Sequence, residues 1–189
     1  MAVDLAKAHE RALAHTGGYV AGVKDDQWNG PTPDDEWDVR TLVNHVVSGN
    51  FWVAPLVDGK TIEEVGDRYD GDLLGDDPAA TYQRSAAEAA AAFNAQGAMQ
   101  APCAVSYGPV PGEIYAGHRF IDVLIHGWDL AKATGQDTTL PADLVEACFE
   151  VIEPQKDLLA ASGMFGSDVE VAEGADRQTQ LLAELGRRA

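Results

Sequence analysis

Residues 117 to 135, GHRFIDVLIHGWDLAKATG, constrain the chain more than any other stretch, because they read as one long helix closed by a glycine. At about 100 degrees per residue, His118, Asp122, His126 and Asp129 fall on one stripe with Tyr115 close to it, since three- and four-residue spacings share a face. That stripe has no solvent side. Ile121, Ile125 and Trp128 flank one edge, Val123 and Leu130 the other, and Phe120, Leu124 and Ala131 cover the back. A helix apolar nearly all round is buried, so its ionisable groups face a core or an enclosed pocket. Buried charge is costly unless paired or held on a metal, which makes this helix the first place to look for function.

The other elements are read around it. Asp4 to Val23 is expected to be helical, with Leu5, Ala8, Ala12, Leu13, Thr16 and Val20 on a weak apolar stripe and alanine favouring helix where packing does not decide. His9 and His15 are six apart and share no face, so both are expected at a surface or an edge. Residues 22 to 38, GVKDDQWNGPTPDDEWD, form a connection that Trp28 and Trp37 pin to the core. Asp38 caps a second helix whose buried arc is Val39, Leu42, Val43, Val46 and Val53 and which ends between Pro55 and Gly59. His45 lies at the edge of that arc. Gly49, one turn on, leaves space beside the imidazole for a ligand or a close neighbour.

Thr61 and Glu64 have the spacing of a capping box for a short helix, and Asp77 before Pro78 starts a long one carrying Tyr82, Ala86, Ala89, Ala90 and Phe93. The segment QGAMQAPCAVSYGPVPGE is too broken by glycine and proline for helix. It reads as a cover over one end of the bundle, with an extended pair around Ala104 to Val110. Pro141 opens a further helix with Leu144, Val145, Cys148, Phe149 and Ile152 inward, kinked by Pro154 before Leu158 and Leu159. A surface crossing from Gly163 and a short C-terminal helix bearing Leu181, Leu182 and Leu185 complete the chain. The expected fold class is all-α. Helices near residues 4 to 23, 38 to 55, 78 to 95 and 113 to 134 make a four-helix bundle, with additional short helices and a short β excursion, in a single domain spanning residues 1 to 189.

Thirty-one acidic against 13 basic residues give a formal charge of -18, which repels phosphate backbones and anionic membranes and so argues against nucleic-acid or membrane partners. No signal-peptide core or transmembrane-length apolar run is present, and a cytoplasmic location is expected. A homodimer through the acidic surface is left open. Cys103 and Cys148 lack metal or redox spacing: Cys148 sits in an apolar helical pattern, and Cys103 is read as structural rather than reactive.

Asp122 and His126 have the i,i+4 spacing that lets two side chains on one helix reach a common ion. His45 is the best third ligand. Two nitrogens and one carboxylate oxygen would leave positions for water, thiolate or substrate, which suits catalytic zinc and serves nickel or iron as well. A buried Asp–His ion pair without metal explains the same spacing. His118 either joins the ligands or contacts substrate as a general acid or base, and Asp129 either orients an imidazole or bonds elsewhere.

NHV around His45, DVLIHGWDLAKATG from Asp122 to Gly135, and LLAELGR from Leu181 to Arg187 resemble the DinB-like superfamily. Within it, the resemblance is to the actinobacterial metal-binding group similar to the N-terminal domain of mycothiol-dependent maleylpyruvate isomerase. It implies a DinB/YfiT-like four-helix bundle and a divalent metal held at the positions that are here His45, Asp122 and His126. It also implies mycothiol as co-substrate with a small electrophile, in a thiol transferase or thiol-assisted isomerase. A metal-binding or small-ligand-binding stress-related protein without turnover is the alternative.

Overall fold

The computed structural model describes residues 3–155 and 169–189, and they form two compact units. The first, Asp4–Thr138, is the four-helix bundle. Its long helices are α1 (Leu5–Ala21), α2 (Val39–Val57), α4 (Pro78–Asn94) and α5 (Gly112–Thr134), with the single turn α3 (Ile62–Val65) between α2 and α4. Each of α1, α2 and α4 begins where an aspartate side chain accepts a backbone N–H of the first turn: Asp4 from Lys7, Asp38 from Thr41 and Asp77 from Ala80. The capping box of Thr61 and Glu64 starts α3. The second helix ends at Val57, between Pro55 and Gly59 as expected, with Pro55 inside its last turn.

Around the bundle the neighbours run α1, α5, α2, α4, so α5 packs against both α1 and α2. Phe120, Ile121, Val123, Leu124, Ile125, Trp128, Leu130 and Ala131 of α5 are all buried, as an all-round apolar helix requires. Gly135, in the left-handed conformation, ends it. Buried side-chain bonds tie the helices together: Thr16 donates to the Val123 carbonyl and Tyr82 to that of Leu13. Gly127 lets α1 approach, since a Cβ there would overlap the Thr16 side chain. Gly127→Ala should therefore lower the stability of the bundle by about 1–3 kcal/mol, the usual cost of overpacking, read as a fall in the denaturation midpoint.

The broken segment before α5 contains a short antiparallel hairpin, β1 (Pro102–Val105) and β2 (Gly108–Pro111), with Cys103 opposite Val110. It lies against α2 and α5.

One expectation is corrected here. His9 is fully buried, edge-on to Phe93 with ring centroids 5.0 Å apart, and both its ring nitrogens lack a hydrogen-bond partner. The alanine-rich α1 has a broad buried face, and position 9 falls beside Ala8 and Ala12 within it. His15 is half-buried and bonds the Tyr19 hydroxyl.

The second unit, Val3 with the described residues from Thr139 on, pairs α6 (Ala142–Ile152) with α7 (Arg177–Glu184). Arg177 meets Glu146 at 2.9 Å and lies over the Phe149 ring, and Cys148 is buried. Pro154 sits in a 3-10 turn, Glu153–Gln155; Leu158, Leu159 and the start of the surface crossing lie outside the described residues. No helix among the described residues is long and apolar enough to cross a membrane.

Candidate metal centre

The connection from Lys24 to Asp38 is laced to the start of α2 by backbone bonds from Val39 to Gly30 and from Arg40 to Trp28. Thr32 donates to the Trp37 carbonyl. These bonds set the Trp37 indole against two imidazoles, 4.7 Å from the His45 ring and 5.6 Å from that of His126. Trp37 thus covers a functional group rather than the apolar core.

His45 from α2 and Asp122 and His126 from α5 each turn one ligand atom to a common point, all within 4.8 Å of one another. Asp122 Oδ1 lies 3.4 Å from His45 Nε2 and 3.5 Å from His126 Nε2. Those separations are long for N–H···O hydrogen bonds, which cluster near 2.9–3.0 Å. They match the roughly 3.3 Å edges of a tetrahedron whose ligands stand about 2.0–2.1 Å from a central zinc. Two imidazoles and a carboxylate facing one point are the donor set of a divalent-cation site, and the residues present fit one. The His45 side chain is 39% exposed against 13% for His126, so the open side is at His45.

The other ring nitrogen of His126 and the other oxygen of Asp122 are engaged away from that point. His126 Nδ1 is 3.1 Å from Asp129 Oδ2, a buried carboxylate that orients the ring and leaves Nε2 facing His45 and Asp122. Asp122 Oδ2 accepts from Arg119 Nη1 at 2.7 Å. Burial alone would raise the Asp122 carboxyl, yet the Arg119 guanidinium, with His126 and His45 beside it, holds it well below the usual carboxylate range. Burial would lower His126, but Asp122 and Asp129 outweigh it and lift the imidazole to about 9.

His118 lies one turn before Asp122 on the same face of α5, half-buried, with its Nδ1 bonded to the hydroxyl of Tyr107 at the hairpin turn. It is thus set beside the triad and under the hairpin rather than among the three converging atoms. Cys103 is buried on β1, and burial pushes its thiol above the ordinary value, away from nucleophilic use.

Arg119 is the residue that helix reading missed, because a long cationic side chain on a helix is usually a solvated one. Here it is 8% exposed. Two signals were present: its three-residue spacing to Asp122, and the glycine at 49. The space at Gly49 is taken by the guanidinium itself, which a Cβ would overlap. Trp37 carried no periodic signal at all, since its position depends on the loop.

A family profile described as mycothiol maleylpyruvate isomerase N-terminal domain matches residues 9–131. An uncharacterized protein found in two strains of Mycobacterium tuberculosis is 39% identical over 146 residues, 75% of this chain and 74% of its own. Among solved structures, mycothiol-dependent maleylpyruvate isomerase superposes with a TM-score of 0.59 at 15% identity, and a histidine-to-alanine mutant of it with 0.60 at 16%. Each alignment covers 76% of this chain and 66% of that one, so the chain spans just under two thirds of the isomerase. At such identity the likeness is one of fold.

Proposed function

This chain belongs to the mycothiol maleylpyruvate isomerase N-terminal domain family, and from that premise we propose that it is a divalent-metal-dependent enzyme acting on a small electrophile with a low-molecular-weight thiol, mycothiol by kinship. The reaction is a thiol transfer or a thiol-assisted isomerisation. The observation that carries this reading is the convergence of His45, Asp122 and His126 with an open side at His45. Zinc is the ion that two imidazoles and a carboxylate suit best, and nickel or iron would also be held. Bound there, the ion would supply the positive charge that lowers a thiol's pKa and keeps the thiolate in place.

The chain's own residues supply the rest. Asp129 holds the His126 ring in the orientation that presents Nε2. The indole of Trp37 walls the imidazoles on one side. His118, its ring steadied by Tyr107, takes the proton that the thiol sulfur gives up and returns it to the electrophile once the carbon–sulfur bond has formed. In an isomerisation His118 then takes a proton back from the adduct, the carbon–sulfur bond breaks, and the proton returns to sulfur as the thiol leaves. No protein nucleophile is required. Cys103→Ser should accordingly leave turnover within about twofold of wild type, whereas a nucleophile's loss would cost several orders of magnitude.

The test is turnover of a panel of electrophiles by zinc-loaded protein with mycothiol, with thiol omitted as control. Consumption that needs both metal and thiol is the expected result. A protein that holds its metal tightly yet turns over nothing in the panel would instead be a metal-dependent binding protein.

A further inference from the structure

Arg119 is bonded on three sides. Its Nη1 donates to Asp122 Oδ2 at 2.7 Å, and its Nη2 to Asn50 Oδ1 at 3.1 Å and the Val46 carbonyl at 3.4 Å. Asn50 is fully buried and in turn donates to Ser85 on α4. The guanidinium is therefore fixed from α2 and α4 independently of the carboxylate it touches, in the room that Gly49 leaves. Asp122 consequently has two unlike oxygens. Oδ2 is held by a charge-assisted bond, and Oδ1 is the atom that faces His45 Nε2 and His126 Nε2.

We propose that Arg119, admitted by Gly49, is a positioning residue that limits Asp122 to ligation through one oxygen and offsets its charge, so that the centre accepts an anionic exogenous ligand of the thiolate class. The inference rests on the metal reading above and deepens it by naming the residue that keeps a coordination position open for the thiolate. A carboxylate free to rock can chelate with both oxygens and occupy the position an incoming ligand needs. With Oδ2 committed to Arg119, that position stays open. Because the guanidinium lies against the carboxylate in a largely buried site, it offsets the negative charge there. A divalent ion then keeps more of its own charge for the incoming ligand, which favours an anion over a neutral donor.

The test uses cobalt(II) as the probe ion and 2-mercaptoethanol as the probe thiol, with imidazole as a neutral donor. Wild type, Arg119→Gln, Arg119→Lys and Gly49→Ala are compared, each checked for fold by circular dichroism. Wild type should give the intense visible bands of four-coordinate cobalt and a sulfur charge-transfer band on adding thiol. In Arg119→Gln the visible bands should weaken toward higher coordination. Thiol affinity should fall about 10- to 100-fold, the usual effect of losing a partner of a metal ligand, with imidazole affinity changed much less. The pH midpoint of the charge-transfer band should rise.

Gly49→Ala should reproduce these changes by displacing the guanidinium while keeping every polar group, and Arg119→Lys should restore part of the loss. Should Arg119→Gln not fold, Gly49→Ala and Arg119→Lys carry the comparison. Folded variants whose spectra and thiol affinity match wild type overturn the role given to Arg119 and leave the metal site standing. Failure of wild type itself to bind cobalt overturns the metal reading and this inference with it.

Discussion

His126→Ala is expected to empty the metal centre and abolish turnover. The substitution removes the nitrogen that faces Asp122 Oδ1 and His45, and it takes from Asp129 the imidazole that it orients. Losing the partner of a metal ligand costs about 10- to 100-fold in affinity, and losing the ligand itself should cost more than that. Metal content after dialysis reads the loss directly. Thermal melting with and without zinc reads it independently, because an ion at about 100 times its dissociation constant stabilises a folded protein by about 2.7 kcal/mol. Wild type should gain that increment and His126→Ala should not. Asp129→Asn, which keeps all three converging atoms, should weaken retention less. A His126→Ala protein that keeps stoichiometric zinc would exclude His126 as a ligand.

Metal-free protein should be most stable near pH 6.5, with two histidines of opposite sign making the two limbs. Burial, assisted by the positive charge of Arg119, depresses His9 from 6.5 to about 3. Between those values the unfolded chain binds a proton that the folded chain does not. Stability is therefore full above 6.5 and falls as pH drops toward 3, by about 1.4 kcal/mol per unit at the steepest. His15 is depressed too, by partial burial, and acts in the same direction. Asp38 and Asp72, whose carboxyls lie below 3.8 in the folded chain, act only at more acid pH.

His126 runs the other way. Its imidazole is raised to about 9, so its contribution is full below 6.5 and is lost as pH rises through 9. His9→Leu should flatten the acid limb at little cost at neutral pH, because it replaces a buried ring that makes no hydrogen bond with an apolar side chain. Urea denaturation across pH 4.5 to 9 measures both limbs. An acid limb unchanged in His9→Leu would assign it to other groups.

Helix placement was legible in the sequence because caps and apolar periods belong to contiguous residues. Asp38, Thr61 and Asp77 each accept the N–H that their position implied, and Gly135 closes α5. The pairing of Asp122 with His126 was equally local, one helical turn on one face. The choice of His45, 77 residues from Asp122, drew on family resemblance as well as on its place at the edge of an apolar arc.

What only the tertiary structure decided is where separate helices put their side chains against one another. His9 shows one such case: an alanine-rich helix has too weak an apolar stripe to reveal how wide its buried face is, and Phe93 from α4 decides it. Arg119 shows the other. Its side chain suits solvent or core equally until Gly49, 70 positions earlier, is found opposite it. Gly49 was read from sequence as room for a ligand or a neighbour. The fold fills that room with a guanidinium, because the half-buried Asp122 carboxylate is stabilised by a cation within hydrogen-bond reach and Arg119 is the one that α5 brings to it.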